Sequence, residues 1–183
     1  MRKFLLIVFF SLFACIQTRA AADEFDTVKC GSDIPKAMIG KHSPNDRVVV
    51  TEARHRDLGL KDIGGDEISD RLSGVLWRIC GHEYEELVDD KGLVRDVLPM
   101  PDATLTSPLS FLDRCKVDGQ QIPDDVIAVL DNGQGRRPKS RDEEIWLPAK
   151  VAWKIDEHSL RFTPRQTEGL NCVVDDFGAD VKQ

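Results

Sequence analysis

Apolar and polar positions alternate along much of this chain, and the alternation predicts strands. In "GVLWRIC", Gly74 to Cys80, the residues Val75, Trp77 and Ile79 occupy every second position and share one side. "VAWKID", Val151 to Asp156, repeats the pattern with Val151, Trp153 and Ile155, and Arg78 and Lys154 point the other way. The two copies share V-x-W-basic-I with a histidine three residues beyond the Ile. Two amphipathic core strands doing the same job explain this echo more simply than a duplicated unit, because the distance from the preceding cysteine to the tryptophan differs. "DDVIAVLDNG" reads as a strand ending in an Asn132-Gly133 turn, and "LPAKVAWKIDEHSLRFTPR" as a hairpin.

Other segments follow by the same reasoning. "RVVVTEARHR", Arg47 to Arg56, opens with three β-branched valines and reads as a strand. "LGLKDIGGDE", Leu58 to Glu67, reads as a Gly-rich acidic connection, and "DDFGADVKQ", Asp175 to Gln183, as a frayed tail. "CGSDIPKAMIGKH" predicts one short helix, with Ser32 or Asp33 as cap, Pro35 in the first turn and Gly40 as the stop. The fold class expected is mainly β, an antiparallel sheet or small sandwich or barrel with a short N-terminal helix. An α+β arrangement is the alternative.

The stretch "ICGHEYEELVDDKG", Ile79 to Gly92, is one letter from the zinc-protease pattern H-E-x-x-H. That chemistry needs two histidines four apart on a helix, and here Glu86 holds the second position. "DDKG" instead predicts a type I turn with a bulge at Gly92. It would pair Asp89 with Leu93, Val88 with Val94, Leu87 with Arg95 and Tyr84 with Leu98. Glu86 and Asp96 would then lie opposite each other, an unfavourable like-charge pair. The expectation is a hairpin with a solvated charged face and no metal.

The first residues change the picture of where the chain lives. Arg2 and Lys3, the apolar run Phe4 to Phe13 and Ala20-Ala21-Ala22 form the three-part layout of a secretory signal, residues 1–22. A mature single domain over 23–183 follows, with no transmembrane segment expected. Leu12-Phe13-Ala14-Cys15 also offers Cys15 as a lipid-attachment site, although bulky Phe13 suits that poorly. Losing residues 1–22 removes Arg2, Lys3 and Arg19 and takes the net charge from −7 to −10. Such an acidic chain argues against a nucleic-acid partner.

Cys30, Cys80, Cys115 and Cys172 remain in the mature chain with long spacings and no C-x-x-C. They read as two disulfides, with three pairings open, in a secreted or periplasmic protein. No nucleophile motif and no phosphate-cradling loop is visible, and no cofactor is expected. The acidic Asp57, Asp62, Asp66, Glu67 and Asp70 lack the ordered spacing of a calcium loop.

Two constellations are left. Glu52, His55 and Asp57 are weak candidates for an acid/base site, against the plainer reading of a surface salt-bridge ladder. "RRPKSR" supplies Arg136, Arg137, Lys139 and Arg141, the dense basic patch of an acidic protein, with Trp146 nearby as a possible anchor. The function expected is an exported, non-catalytic binding or inhibitory module, its partner another secreted or envelope protein. A secreted hydrolase assembled by the fold is the runner-up, and a structural envelope lipoprotein the third reading.

Overall fold

The computed structural model describes residues 24–44, 49–104, 106–110, 114–137, 139 and 143–174. The signal expected over 1–22, Cys15, Arg141 and the tail expected over 175–183 lie outside the described residues. Among the described residues no helix is long and apolar enough to cross a membrane.

The fold is mainly β, with two antiparallel sheets and two short helices. Helix α1 (Ile34–Met38) forms where expected: the Asp33 carboxylate accepts from the Lys36 N–H at 3.2 Å, and Pro35 sits in the first turn. Helix α2 (Glu52–Asp57) overturns the strand expected over Arg47–Arg56. The Thr51 hydroxyl caps it by accepting from the Arg54 N–H at 3.2 Å. Glu52 in its first turn and Arg54, His55 and Arg56 in its last complement the helix dipole. The β-branched run instead places Val50 in the core beside the cap.

The first sheet is a meander of β1 (Lys61–Ser69), β2 (Leu72–Ile79), β3 (His82–Asp89) and β4 (Val94–Met100) in that order. Its β1 is a second correction, because the Gly-rich connection is itself a strand. The glycines permit the close pairing: a Cβ on Gly65 would come within 2.5 Å of the Gly74 carbonyl oxygen. The second sheet contains β5 (Leu109–Ser110), β6 (Cys115–Val117), β7 (Gln120–Gln121), β8 (Val126–Leu130), β9 (Trp146–Asp156), β10 (Arg161–Arg165) and β11 (Leu170–Val173). Its order is β5-β8-β9-β11-β6-β7, with β10 also on β9. The long β9 is its spine, pairing with β8, β10 and β11.

Three apolar clusters hold these parts together. One face of the meander, with Trp77, Ile79, Val88 and Val97, packs beneath the 24–60 layer through Phe25, Met38, Val50 and Leu58. The opposite face, with Leu72, Leu76 and Leu87, meets Ile127, Val129 and Ile155 of the second sheet. The far side of the second sheet buries Val126, Leu130, Leu147 and Leu170. Each disulfide belongs to one end of this stack: Cys30–Cys80 ties the helical layer to the meander, and Cys115–Cys172 joins β6 to β11. The echoing tryptophans fall in different sheets, Trp77 in the first cluster and Trp153 half-buried against the second.

The β3–β4 hairpin differs in part from its expected register. Val88 pairs with Val94 as expected, but a bulge at Arg95 then puts Leu87 opposite Asp96, Glu86 opposite Val97 and Glu85 opposite Leu98. The bulge separates Glu86 from Asp96. It also frees the Asp96 carboxylate to accept from the Phe162 N–H of β10 at 2.9 Å, tying the two sheets together.

Candidate functional site

The charged face expected on β3 is not solvated. Glu83, Glu85 and Glu86 are 4, 3 and 0 % exposed, because β3 is an inner strand covered on both sides. Glu86 points into the helical-layer core and accepts from the Ser43 hydroxyl at 2.8 Å, and that hydroxyl accepts from the Trp77 indole N–H at 3.2 Å. Burial, opposed only in part by the Ser43 bond, pushes the Glu86 carboxyl up to about 8. Glu85 points toward the other sheet, its carboxyl lying where a Cβ on Gly74 would be. Burial, then the nearby Glu86 and Asp66, raise it well above the carboxylate range. Glu83 pairs with Arg78 across the strand. All three carboxyls are buried, and among the described residues no group of His, Cys, Asp and Glu is placed to hold a metal.

The weak acid/base candidates are not brought together. Glu52, His55 and Asp57 share the single turn of α2, where Glu52 forms an exposed pair with Arg56 at 4.0 Å. No hydrogen bond joins the His55 ring to a carboxylate among the described residues. The histidine–carboxylate pair that does form is His42 with Glu24, at 2.9 Å from Nδ1. The His42 backbone N–H also donates to Glu24, and these bonds hold the Glu24 carboxyl below its ordinary range. Because Glu24 also bonds Val49 through its backbone, this pair fastens the start of the helical layer.

The basic loop is the constellation the fold displays. It leaves the end of β8 and returns as β9, and buried groups pin both of its feet. Asn132, 2 % exposed, accepts from the Arg136 N–H at 2.9 Å and donates to the Arg136 carbonyl at 2.6 Å. The Gly135 N–H closes the turn onto the Asn132 carbonyl at 2.9 Å, and Asp131 beside it pairs with Lys150 at 3.3 Å. On the returning foot the Lys139 N–H donates to Glu143, and Ile145 is buried while its carbonyl accepts from Val174. Between these feet Arg136, Arg137 and Lys139 are exposed, and their side-chain charges meet no carboxylate among the described residues.

Trp146 stands at the returning foot, half-buried rather than open. The Lys116 ammonium lies 3.9 Å from its ring centre, and its indole N–H donates to Glu144 at 3.3 Å. Glu144 also receives the Arg114 guanidinium at 3.3 Å. Cys172 and Val173 pair with Leu147 and Trp146, so the Cys115–Cys172 bridge lies directly beneath this group. Trp146 is therefore held at the loop's foot between Lys116 and Glu144. Sequence reasoning missed Asn132 as a clamp, although its place in "LDNGQG" carried the signal, and missed Arg114 and Lys116, which only the disulfide brings near. The loop does not border a cleft lined by Ser69, Arg71, Asp89, Lys91, Arg95 and His158, about 370 Å³ in volume, where charges of both signs meet.

No known family model matches this chain, and no curated protein or solved structure is significantly similar to it. The two disulfides fit an oxidising, extracytoplasmic compartment.

Proposed function

We propose that this is an exported binding or inhibitory module, secreted or periplasmic, that presents the loop carrying Arg136, Arg137 and Lys139 to an acidic surface of another extracytoplasmic protein. The observation that carries this reading is the clamp at Asn132: a buried side chain fixes the loop backbone from two directions, while the neighbouring cations are exposed and meet no carboxylate among the described residues. A backbone held in place before contact loses less conformational freedom on binding, so its charges contribute more of their attraction to affinity. Exposed cations on an acidic protein also give orientation, because they offer an acidic partner a local attractive spot on a repelling surface.

The test is crosslinking capture from extracytoplasmic extract of the protein's own source, with the mature chain as bait. A matched bait carries Arg136→Ser, Arg137→Ser and Lys139→Ser. One partner retained near stoichiometry by the native bait and lost from the neutralised bait is the expected result. Equal capture by both baits, or nothing above background, overturns the proposal.

A further inference from the structure

A second surface, separate from the cationic loop, follows from how the molecule treats its strand edges. An edge strand leaves a row of N–H and C=O groups without a ladder partner, and folded proteins normally cover, shorten or interrupt such rows. Most edges here are managed. The outer edge of β4 is met by the 40–42 segment, where the Gly40 N–H donates to the Val94 carbonyl and the Val94 N–H to the Lys41 carbonyl, each at 2.8 Å. His42 bridges Leu93 beside them, and Pro99 interrupts the far end. On β10 the Phe162 N–H is taken by Asp96, and Pro164 has no N–H to offer. The terminal strands β5 and β7 are two residues each.

Strand β1 is interrupted by bulges near both ends, but the row between them is left uncovered. The strand is nine residues long, stands at the end of the meander and, among the described residues, pairs with β2 alone. Bulges bracket a regular stretch, Gly64 to Glu67, that keeps an even register with Ser73 to Leu76. Side chains along β1 leave the edge approachable: Gly65 has none, and Asp62, Asp66 and Glu67 are exposed with no cation paired to them among the described residues. A bare edge flanked by unpaired carboxylates repels a second copy of itself. It attracts an extended segment with basic side chains.

We infer that the free edge of β1 is a docking site for an extended basic peptide of a partner protein, which adds as a further strand to the meander. Main-chain hydrogen bonds to the open row supply the adhesion, and Asp62, Asp66 and Glu67 select the charge. The site lies on the first sheet, whereas the cationic loop belongs to the second, so either surface can fail without the other.

The experiment uses the disulfide-intact mature chain and three labelled synthetic peptides. One alternates lysine with threonine, a second alternates glutamate with threonine, and the third is the lysine peptide N-methylated at alternate amides. Binding is followed by fluorescence anisotropy, and its position by amide hydrogen exchange. The lysine peptide is expected to bind and to slow exchange along 61–69, while its methylated form, equal in charge but unable to complete a ladder, does not bind. The exposed double variant Asp66→Lys/Glu67→Lys is expected to lose the lysine peptide and gain the glutamate one, with its circular dichroism unchanged. Equal binding of the methylated peptide would reduce the site to charge attraction and overturn the proposal. Protection placed elsewhere, or a dimer in sedimentation that joins two β1 edges, overturns it as well.

Discussion

Two stretches of this chain are dense in charge, and the fold treats them in opposite ways. Glu83, Glu85 and Glu86 are buried in the middle of a sheet with their carboxyls turned into two cores, while Arg136, Arg137 and Lys139 are exposed and meet no carboxylate among the described residues. Charge density does not separate them. Topology does: β3 has a strand on each side and a layer on each face, whereas the loop connects β8 to β9 at the molecule's boundary. A charged side chain on an inner strand loses its water and shifts toward its neutral form, and the same side chain on a connection keeps both water and charge.

The largest way to probe this contrast is pH. Glu86 titrates near 8 in the folded chain and near its ordinary 4.5 when unfolded, and Glu85 shifts in the same direction. The folded state therefore holds protons that the unfolded state has released, and stability falls as pH rises from about 4.5 toward 8. The slope approaches about 1.4 kcal/mol per pH unit for each such carboxyl. Below that window Glu24 and Asp124 act oppositely, since hydrogen bonds and ion pairs lower both and their contribution is lost on further acidification. Urea midpoints are expected to peak in mild acid and decline toward pH 8, with Glu86→Gln making the decline markedly shallower. A midpoint that rises over that range would mean both carboxyls are solvated.

A smaller effect tests the display. Asn132→Ala leaves the Arg136 N–H and carbonyl without their buried partner, and a loss of about 1–3 kcal/mol is expected. Cleavage by trypsin after Arg136 should accelerate in the same variant, measured against the native chain under non-denaturing conditions. Unchanged cleavage would mean that the clamp does not restrain the loop. The smallest effect belongs to the cations themselves: Arg136→Ser with Arg137→Ser should move the denaturation midpoint by no more than about 0.5 kcal/mol, as for other exposed substitutions. A larger loss would mean the loop is part of the core's support, and the contrast with β3 would collapse.

Local signals were legible wherever a neighbour in sequence decides the outcome. Asp33 and Pro35 mark α1, Asp89 and Gly92 the β3–β4 turn, Asn132 the end of β8, and the alternation over Val151–Asp156 the spine strand. Illegible were the features set by groups far along the chain. Gly65 looks like part of a connection until Gly74 of β2 lies against it. The bulge at Arg95 is supported by Asp96 reaching Phe162, 66 residues away. Thr51 is a short-range exception, a cap present in plain view but outweighed by the valines before it. At the candidate site the basic residues could be named, but the clamp needed the fold, and Trp146 needed Lys116 above it before its place at the loop's foot was evident.

The two disulfides also have an order. Cys30 joins Cys80 and Cys115 joins Cys172, so the bridges follow one another along the chain and neither encloses nor crosses the other. Of the four bridged cysteines, Cys30 and Cys80 come first from the N-terminus, so they can meet an oxidant before Cys115 and Cys172 have appeared. The helical layer and meander can be sealed while the second sheet is still being delivered. Pairing these four cysteines in order of arrival yields both bridges, with no shuffling among them.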